Sequence, residues 1–302
     1  MTSTTLDSAS MDTAAIAATI REERAKRVRR AGLLKHLFLI ICSFIMIYPL
    51  LWMLASSLKP DSEIFNNTLS LWPSEFQWEN YPEGWNALVV SFTRFYWNST
   101  IITVLSLIGN ALSASFAAYA FARLEFSGKT IWFALMMATL MIPYHIVLIP
   151  QYLLFLKIGW VDTFLPLIVP KFLASDAFFV FLMIQFFRQL PRDLDEAAMI
   201  DGCSPFKIYW AIILPLSLPA MATAAIFTFI WTWQDFLGPL VFLNDVKDYT
   251  VPLALRMFQS QDGVSLYGPM FAMSVLSIVP IILFFVVFQR FIIRGIAMSG
   301  LK

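Results

Sequence analysis

The chain has 302 residues, 59% of them hydrophobic and only 14% charged, with a mean hydropathy of +0.72. A composition this apolar excludes an ordinary soluble globule and points to an integral membrane protein. The formal net charge of +1 gives no reason to expect a nucleic-acid partner. The two cysteines, Cys42 in an apolar run and Cys203 in a charged one, should meet different environments, so no disulfide framework is expected.

Residues 1–20 are rich in Thr, Ser and Ala without apolar period and read as a disordered tail. A basic block follows, with Arg21, Arg24, Lys26, Arg27, Arg29 and Arg30. It reads either as a solvated helix or as a signal that keeps the N-terminus in the cytoplasm. The next apolar run is too long and too far from the start for a cleaved signal peptide. The expected organisation is therefore a basic cytoplasmic tail over residues 1–30 and a membrane domain over 31–302.

Apolar stretches of ~20 residues are long enough to cross a bilayer as helices. Six are predicted, at about Leu33–Leu58, Thr100–Leu124, Ile131–Leu156, Phe164–Phe187, Ala211–Leu237 and Pro269–Ile293, giving an all-α fold. With an inside start, the segments expected in the cytoplasm hold fifteen Lys and Arg and the others six. That bias places both termini, and the connection between spans four and five, inside.

The first outer loop, Lys59 to Asn98, carries Trp72, Trp78, Tyr81, Trp85, Tyr96 and Trp97, aromatics of the kind that gather at membrane interfaces. Span two holds Gly109, Ala111, Ser113, Ser115, Ala117, Ala118, Ala120 and Ala122, small residues that let helices approach closely in lipid. Span three contains Pro143 and Pro150, which should kink or open it, as scaffold or beside a water-filled path. Lys171 and Asp176 in span four are costly in lipid, and charges so placed read as functional by default.

Between spans four and five, Leu190 to Pro219 opens with Arg192, Asp193, Asp195, Glu196 and Asp201. Two short helices joined by a turn are predicted. Pro191 suits a first helical position, and Asp193, Asp195 and Glu196 favour the positive end of the helix dipole. Gly202 sits where a helix C-terminus takes a left-handed residue, and Ser204 with Pro205 starts a second helix. Such an elbow, with its small Ala face, suits a grip by another protein. It also reads as an interfacial pair on lipid headgroups, although its acidic start suits an anionic surface poorly.

Span five ends in Trp231-Thr232-Trp233-Gln234-Asp235-Phe236-Leu237. Aromatic faces beside an acid and an amide suit sugar C–H faces and hydroxyls, so Trp231, Trp233 and Asp235, with Pro143, are candidates for a solute path. The run also reads as an interfacial belt with Asp235 bonded to the next loop. Gly128-Lys129-Thr130 ends like a phosphate loop, but the earlier glycine such a loop needs falls at Arg123. His36 and His145 are far apart in sequence, and no metal-ligand spacing or nucleophile–base set is visible.

Glu196-Ala197-Ala198, three residues, Gly202, nine residues, Ile212, one residue and Leu214-Pro215 resemble the EAA loop of binding-protein-dependent ABC importer permeases. Cys203 departs from the Ala usual there. Gln289-Arg290-Phe291, the ending Arg294 to Lys302, and the Trp-rich run before Gly238-Pro239-Leu240 resemble the carbohydrate-type members, the maltose and oligosaccharide permeases. The resemblance covers Leu33 to the C-terminus.

It implies a type I ABC importer permease fold and a coupling loop over about 190–210 that docks in a cleft of the cytoplasmic ATPase subunit. Glu196, Ala197, Ala198, Asp201, Gly202, Phe206, Leu214 and Pro215 are the residues it assigns there. It further implies a second permease subunit, homologous or identical, two ATPase subunits and an extracytoplasmic solute-binding protein. This chain would bind no cofactor, and ATP and Mg would belong to the ATPase partners, so it would be a transport subunit of the bacterial cytoplasmic membrane rather than an enzyme. The implied cargo is a sugar or related solute, moved by alternating access. The alternative is an ion-coupled secondary transporter using Lys171, Asp176 or Asp235, which would call for matching broken spans in two inverted halves. No such pairing is visible in the sequence.

The charge bias makes a direct prediction. In a background lacking Cys42 and Cys203, an impermeant thiol reagent added to intact cells should label Ser74→Cys and Ser260→Cys and spare Ser127→Cys. Labelling of Ser127→Cys would overturn the six-span topology.

Overall fold

The structure, a computed structural model, describes residues 32–66, 70–259 and 266–299, with side chains as far as Phe291. The expected tail over residues 1–30 and the Arg294–Lys302 side chains lie outside the described residues. Among the described residues there is no strand. The chain forms two units, dividing at Ala55.

The first unit contains α1 (Gly32–Ser56), a helix with a mean hydropathy of 2.5 over its most apolar stretch. Leu33, Leu34, Leu37, Phe38, Ile40, Ile41 and Phe44 are all exposed, so no polar face exists. A helix apolar all round, of this length, belongs in lipid.

The second unit begins with the short helices α2 (Asp61–Ile64) and α3 (Asn80–Asn86), then α4 (Phe92–Arg123). The last is 32 residues long, about 48 Å, and starts well before the expected Thr100. Phe92 and Phe95 explain the difference: both are buried on one helix face, so aromatics expected in the outer loop form its first turns. Trp72, Trp78 and Trp97 are exposed, whereas Tyr81 meets the Ser57 hydroxyl at 2.9 Å and Trp85 stacks on Tyr96.

Span three is not one helix. Its halves, α5 (Lys129–Thr139) and α6 (Tyr144–Lys157), meet at 101°. Pro143 sits at the break in extended geometry (φ −60°, ψ 130°) as the residue before α6, while Pro150 stays inside that helix. Proline also pushes the residue before it out of helical conformation, which places the break ahead of Pro143. Span four runs from Leu165 to Gln189 through α7 (Leu165–Ile168), a 3-10 turn (Val169–Leu173) and α8 (Ala177–Gln189).

The elbow follows as α9 (Asp193–Ile200) and α10 (Pro205–Ile208). Pro191 is not the first helical residue as expected: α9 begins at Asp193. A π turn (Tyr209–Ile213) and α11 (Leu214–Leu216) lead to α12 (Leu218–Trp233), bent from the preceding segment by 76°. Then come α13 (Leu237–Phe242), a 3-10 turn (Val246–Asp248), α14 (Val251–Met257) and α15 (Tyr267–Ser299). Among the described residues, four helices are thus long and apolar enough to cross a membrane singly, and there are up to six spans if each bent pair is one.

Helix α4 is the axis of this unit and packs against α8 and α12, while α12 packs against α15. Ala114, Ala118 and Ala122 are buried among Phe179, Met183 and Phe187 of α8. At Gly109 the neighbour comes closest: a Cβ there would fall 2.5 Å from the Phe172 ring. The Asn110 amide, fully buried, donates to Thr228 Oγ1 at 2.7 Å across to α12.

The loops at the other end from the elbow are also tied. Asn98 Nδ2 donates to the carbonyls of Lys247 and Tyr249, at 2.8 and 2.9 Å. Buried and so bonded, Asn98 is not an acceptor for a glycan, although Asn98-Ser99-Thr100 has the spacing of a glycosylation sequon. Asp162 (φ 65°) accepts the backbone N–H groups of Asn244 and Asp245, and these bonds hold its carboxyl below the usual carboxylate range.

Filling the gap at Gly109 tests the α4 contact. Gly109→Val should destabilise the unit by about 1–3 kcal/mol through overpacking. Adding Phe172→Ala should recover much of the loss in denaturant unfolding of the detergent-solubilised chain. No loss from Gly109→Val alone would mean that the two segments part there at little cost.

Candidate functional site

The elbow is shaped by backbone bonds its sequence makes easy. Asp193, Asp195 and Glu196 occupy the first turn of α9, where the free N–H groups favour acids. At the other end Gly202 takes φ +77°, a left-handed value that costs glycine nothing. Gly202 N–H then bonds the Met199 carbonyl at 3.0 Å and Cys203 N–H the Ala198 carbonyl at 2.9 Å, closing the helix with a Schellman pair. Ser204 Oγ accepts the Lys207 N–H and Pro205 leads α10, as predicted.

One side of the elbow is packed. Ala198, Ile208, Tyr209 and Ile213 join a core with Ala118, Tyr119 and Ala122 of α4 and Met183, Ile184 and Phe187 of α8. Ala198 is 6% exposed, so it does not belong to an outward Ala face; it is the small residue that lets α9 lie against the core. Leu214 is half-buried against the same core, and Pro215 is exposed beside the π turn. Glu196, Ala197, Asp201, Gly202 and Phe206 face outward together with Met199 and Ile200, the latter 86% exposed. One side of this short helix pair is thus buried, and the other presents large apolar groups beside an acid.

Beneath the elbow lies an ion pair that sequence reasoning did not single out. Arg123, the last residue of α4, reaches Asp195 Oδ2 at 2.9 Å and donates to the Leu190 carbonyl at 2.8 Å. The side chains are 3% and 12% exposed. In the sequence Arg123 is one of the inside charges and the residue that breaks the phosphate-loop pattern, and its partner lies 72 positions along the chain by the numbering, beyond any local pattern.

Away from the elbow a cavity of about 520 Å³ opens among α4, α6, α12 and the 3-10 turn of span four. Trp231 and Asp235 line it, with Tyr144, Gln151, Lys171, Asp176 and Thr250. Lys171 Nζ donates to Asp176 Oδ2 at 3.1 Å, so these two span charges serve each other. Trp231 rests on Phe178 and Phe179, with centroids 5.4 and 5.3 Å away. Asp235 Oδ1 accepts the Gly238 N–H at 3.1 Å, which ties it to the start of α13 while it stays on the cavity wall. Thr250 Oγ1 is buried without a hydrogen-bond partner.

Two candidates for a solute path do not reach this cavity. Trp233 is 4% exposed, stacks on Phe229 and donates Nε1 to the Ser277 carbonyl at 2.9 Å, so it is core. The reason is helical geometry: residues two apart, Trp231 and Trp233, point about 200° apart, so one reaches the cavity and the other α15. Pro143 acts through the backbone, at the bend that brings neighbouring Tyr144 to the cavity.

The family described as binding-protein-dependent transport system inner membrane component matches residues 109–298. The chain is 36% identical over 265 residues to the arabinooligosaccharides transport system permease protein AraQ of Halalkalibacterium halodurans, covering 86% of this chain and 92% of that protein. It is 34% identical over 278 residues to the trehalose/maltose transport system permease protein MalG of Thermococcus litoralis (90% and 99% covered). It is 33% identical over 275 residues to the diacetylchitobiose uptake system permease protein NgcG of Streptomyces coelicolor (91% and 90% covered). A solved bacterial ABC transporter involved in the import of the acidic polysaccharide alginate shares the fold, with a TM-score of 0.76 at 21% identity over 87% of this chain and 96% of that one. These likenesses decide against an ion-coupled secondary transporter. The two broken spans, the third and the fifth, also do not correspond in two inverted halves. The chain belongs to the binding-protein-dependent transport system inner membrane components, the multi-pass membrane permease subunits of ABC importers.

Proposed function

We propose that this permease imports a sugar or a related polyol, and that its elbow is the cytoplasmic surface on which an ATPase subunit pulls. The observation that carries the second part is the two-sided elbow, packed through Ala198 and Tyr209 and open at Glu196, Met199, Ile200 and Phe206. Two ATPase subunits hydrolyse ATP, with Mg in their own sites, and this chain contributes no catalytic residue. A second permease subunit and an extracytoplasmic binding protein complete the importer. Both termini and the elbow face the cytoplasm, which the excess of Lys and Arg in those segments supports.

The sugar reading draws on the saccharides for which the relatives AraQ, MalG and NgcG are named and on the cavity's chemistry. Trp231 offers an aromatic face, while Gln151, Thr232 and Asp235 offer hydrogen-bonding groups for hydroxyls. The Lys171–Asp176 pair cancels its own charge, which suits a neutral solute. ATP closes the ATPase pair, the elbow moves with it, and the cavity opens outward to accept solute from the binding protein. Hydrolysis then reverses the movement and releases solute inside.

Asp235→Asn preserves an oxygen that can accept the Gly238 N–H but removes the carboxylate. It should lower uptake by about tenfold, the effect of losing ~1.4 kcal/mol of hydrogen bonding to a charged group, without loss of assembled complex. Normal uptake would leave Asp235 as a cap for α13 alone.

At the elbow, Glu196→Lys and Gly202→Asp should each insert normally yet abolish ATP-driven uptake in proteoliposomes. Glu196→Lys places a cation where a basic cleft is expected, so it should also reduce co-purified ATPase subunit, and a charge reversal in that cleft should restore part of it. Gly202→Asp adds about 1–2 kcal/mol of left-handed strain and reorients α10. Full uptake and full retention of the ATPase in both variants would leave the elbow a membrane-surface helix pair.

A further inference from the structure

One stripe of α4 holds the elbow at several points. Arg123 binds Asp195 and the Leu190 carbonyl. One turn back, Tyr119 OH donates to the Pro205 carbonyl at 3.0 Å. Another turn back, the Ser115 and Tyr209 hydroxyls lie 2.6 Å apart, and Phe116 stacks on Tyr209 with centroids 4.5 Å away. Positions 115, 116, 119 and 123 fall on the same side of a helix.

The same helix runs on to the cavity. Ser113 Oγ donates to the Lys171 carbonyl at 2.7 Å and Ser106 Oγ to the Leu167 carbonyl at 3.3 Å, both on the cavity wall. Ile102 and Ser99 are themselves wall residues. From Ser99 to Arg123 is about 36 Å of continuous helix. A rigid element of that length, bonded at one end to the elbow and at the other to the cavity, moves both together.

Arg123 is a poor choice for stability alone. Its Nε and Asp195 Oδ1 are buried with no hydrogen-bond partner. A buried pair with unmet groups is commonly no better than apolar packing of the same volume. What it supplies is register. The planar guanidinium spans the end of α8 and the first turn of α9, and α9 cannot slide against α4 without stranding a charge.

We propose that Arg123 is the positioning residue that makes α4 follow the elbow, so that displacement of α9 reaches the cavity wall. This rests on the coupling role proposed for the elbow, and the experiment separates the two. The complete importer, with Cys42→Ser and Cys203→Ala in this chain, carries bimane on Ser175→Cys, a cavity residue. Trp231, also on the wall, is the quencher. Fluorescence is read in nanodiscs before and after trapping with ATP and vanadate, and co-purified ATPase subunit and ATP hydrolysis are measured on the same samples.

The otherwise unaltered chain should change fluorescence on trapping. Arg123→Met and Asp195→Asn should each keep the ATPase subunits bound and hydrolysing ATP while losing more than half of that change. The exchange Arg123→Asp with Asp195→Arg should restore most of it. A full response in both single variants would overturn the proposal and leave the elbow's role standing. Loss of bound ATPase in both, unrestored by the exchange, would mark a packing role and overturn it too. Should Arg123→Met fail to assemble, Asp195→Asn, nearly identical in shape, decides: a full response there overturns the tie. No response in the unaltered chain would overturn the coupling role itself, and this inference with it.

Discussion

Lipid chains are as apolar as leucine, so burying leucine against leucine gives membrane helices little reason to pair. The second unit depends instead on close approach along α4 and on polar groups that leave the lipid only by bonding one another. Gly109 lets the Phe172 ring reach the α4 backbone. Ala114, Ala118 and Ala122 do the same for α8. Asn110, Asn98, Ser106, Ser113, Ser115 and Tyr119 then bond across to four different segments. Each bond fixes a register that apolar packing alone would leave free to slip.

The breaks in spans three and five follow from the same constraint. A chain may leave helical geometry inside a membrane only where its freed backbone groups meet protein or water. Pro143 bends span three beside the cavity that Tyr144 and Gln151 line. In span five the break falls at Ser217, which is fully buried and donates its N–H to the Ile213 and Leu214 carbonyls and its hydroxyl to the Ile213 carbonyl. One bend lies beside the cavity, and the other separates the segment after the elbow from α12.

The elbow and the cavity are therefore parts of one frame rather than separate sites. The elbow's packed side belongs to the same core as the middle of α4 and α8, and the cavity lies farther along those elements. Between them runs the continuous helix α4, bonded to the elbow at one end and to the cavity wall at the other.

By itself the sequence determined the membrane character, the places of the six apolar spans and the local form of the elbow. Those rest on composition, run length and short-range chemistry: an acidic first turn, a left-handed Gly202, a Ser204 cap. Tertiary structure alone decided which residues of those segments are available. Ala198 reads as surface in a motif and is buried, because α9 lies with that face on α8 and α4. Trp231 and Trp233 read as one aromatic run, yet a helix turns them to opposite sides, one to the cavity and one to α15. Lys171 and Asp176 read as two functional charges and neutralise each other across a left-handed Ala174 that no residue type announces. Arg123 and Asp195 belong to different spans' ends, and only folding brings a cation that looked like a topology marker against the one elbow acid that is buried. Long-range pairing is set by how helices pack, and no period or spacing in a single chain records it.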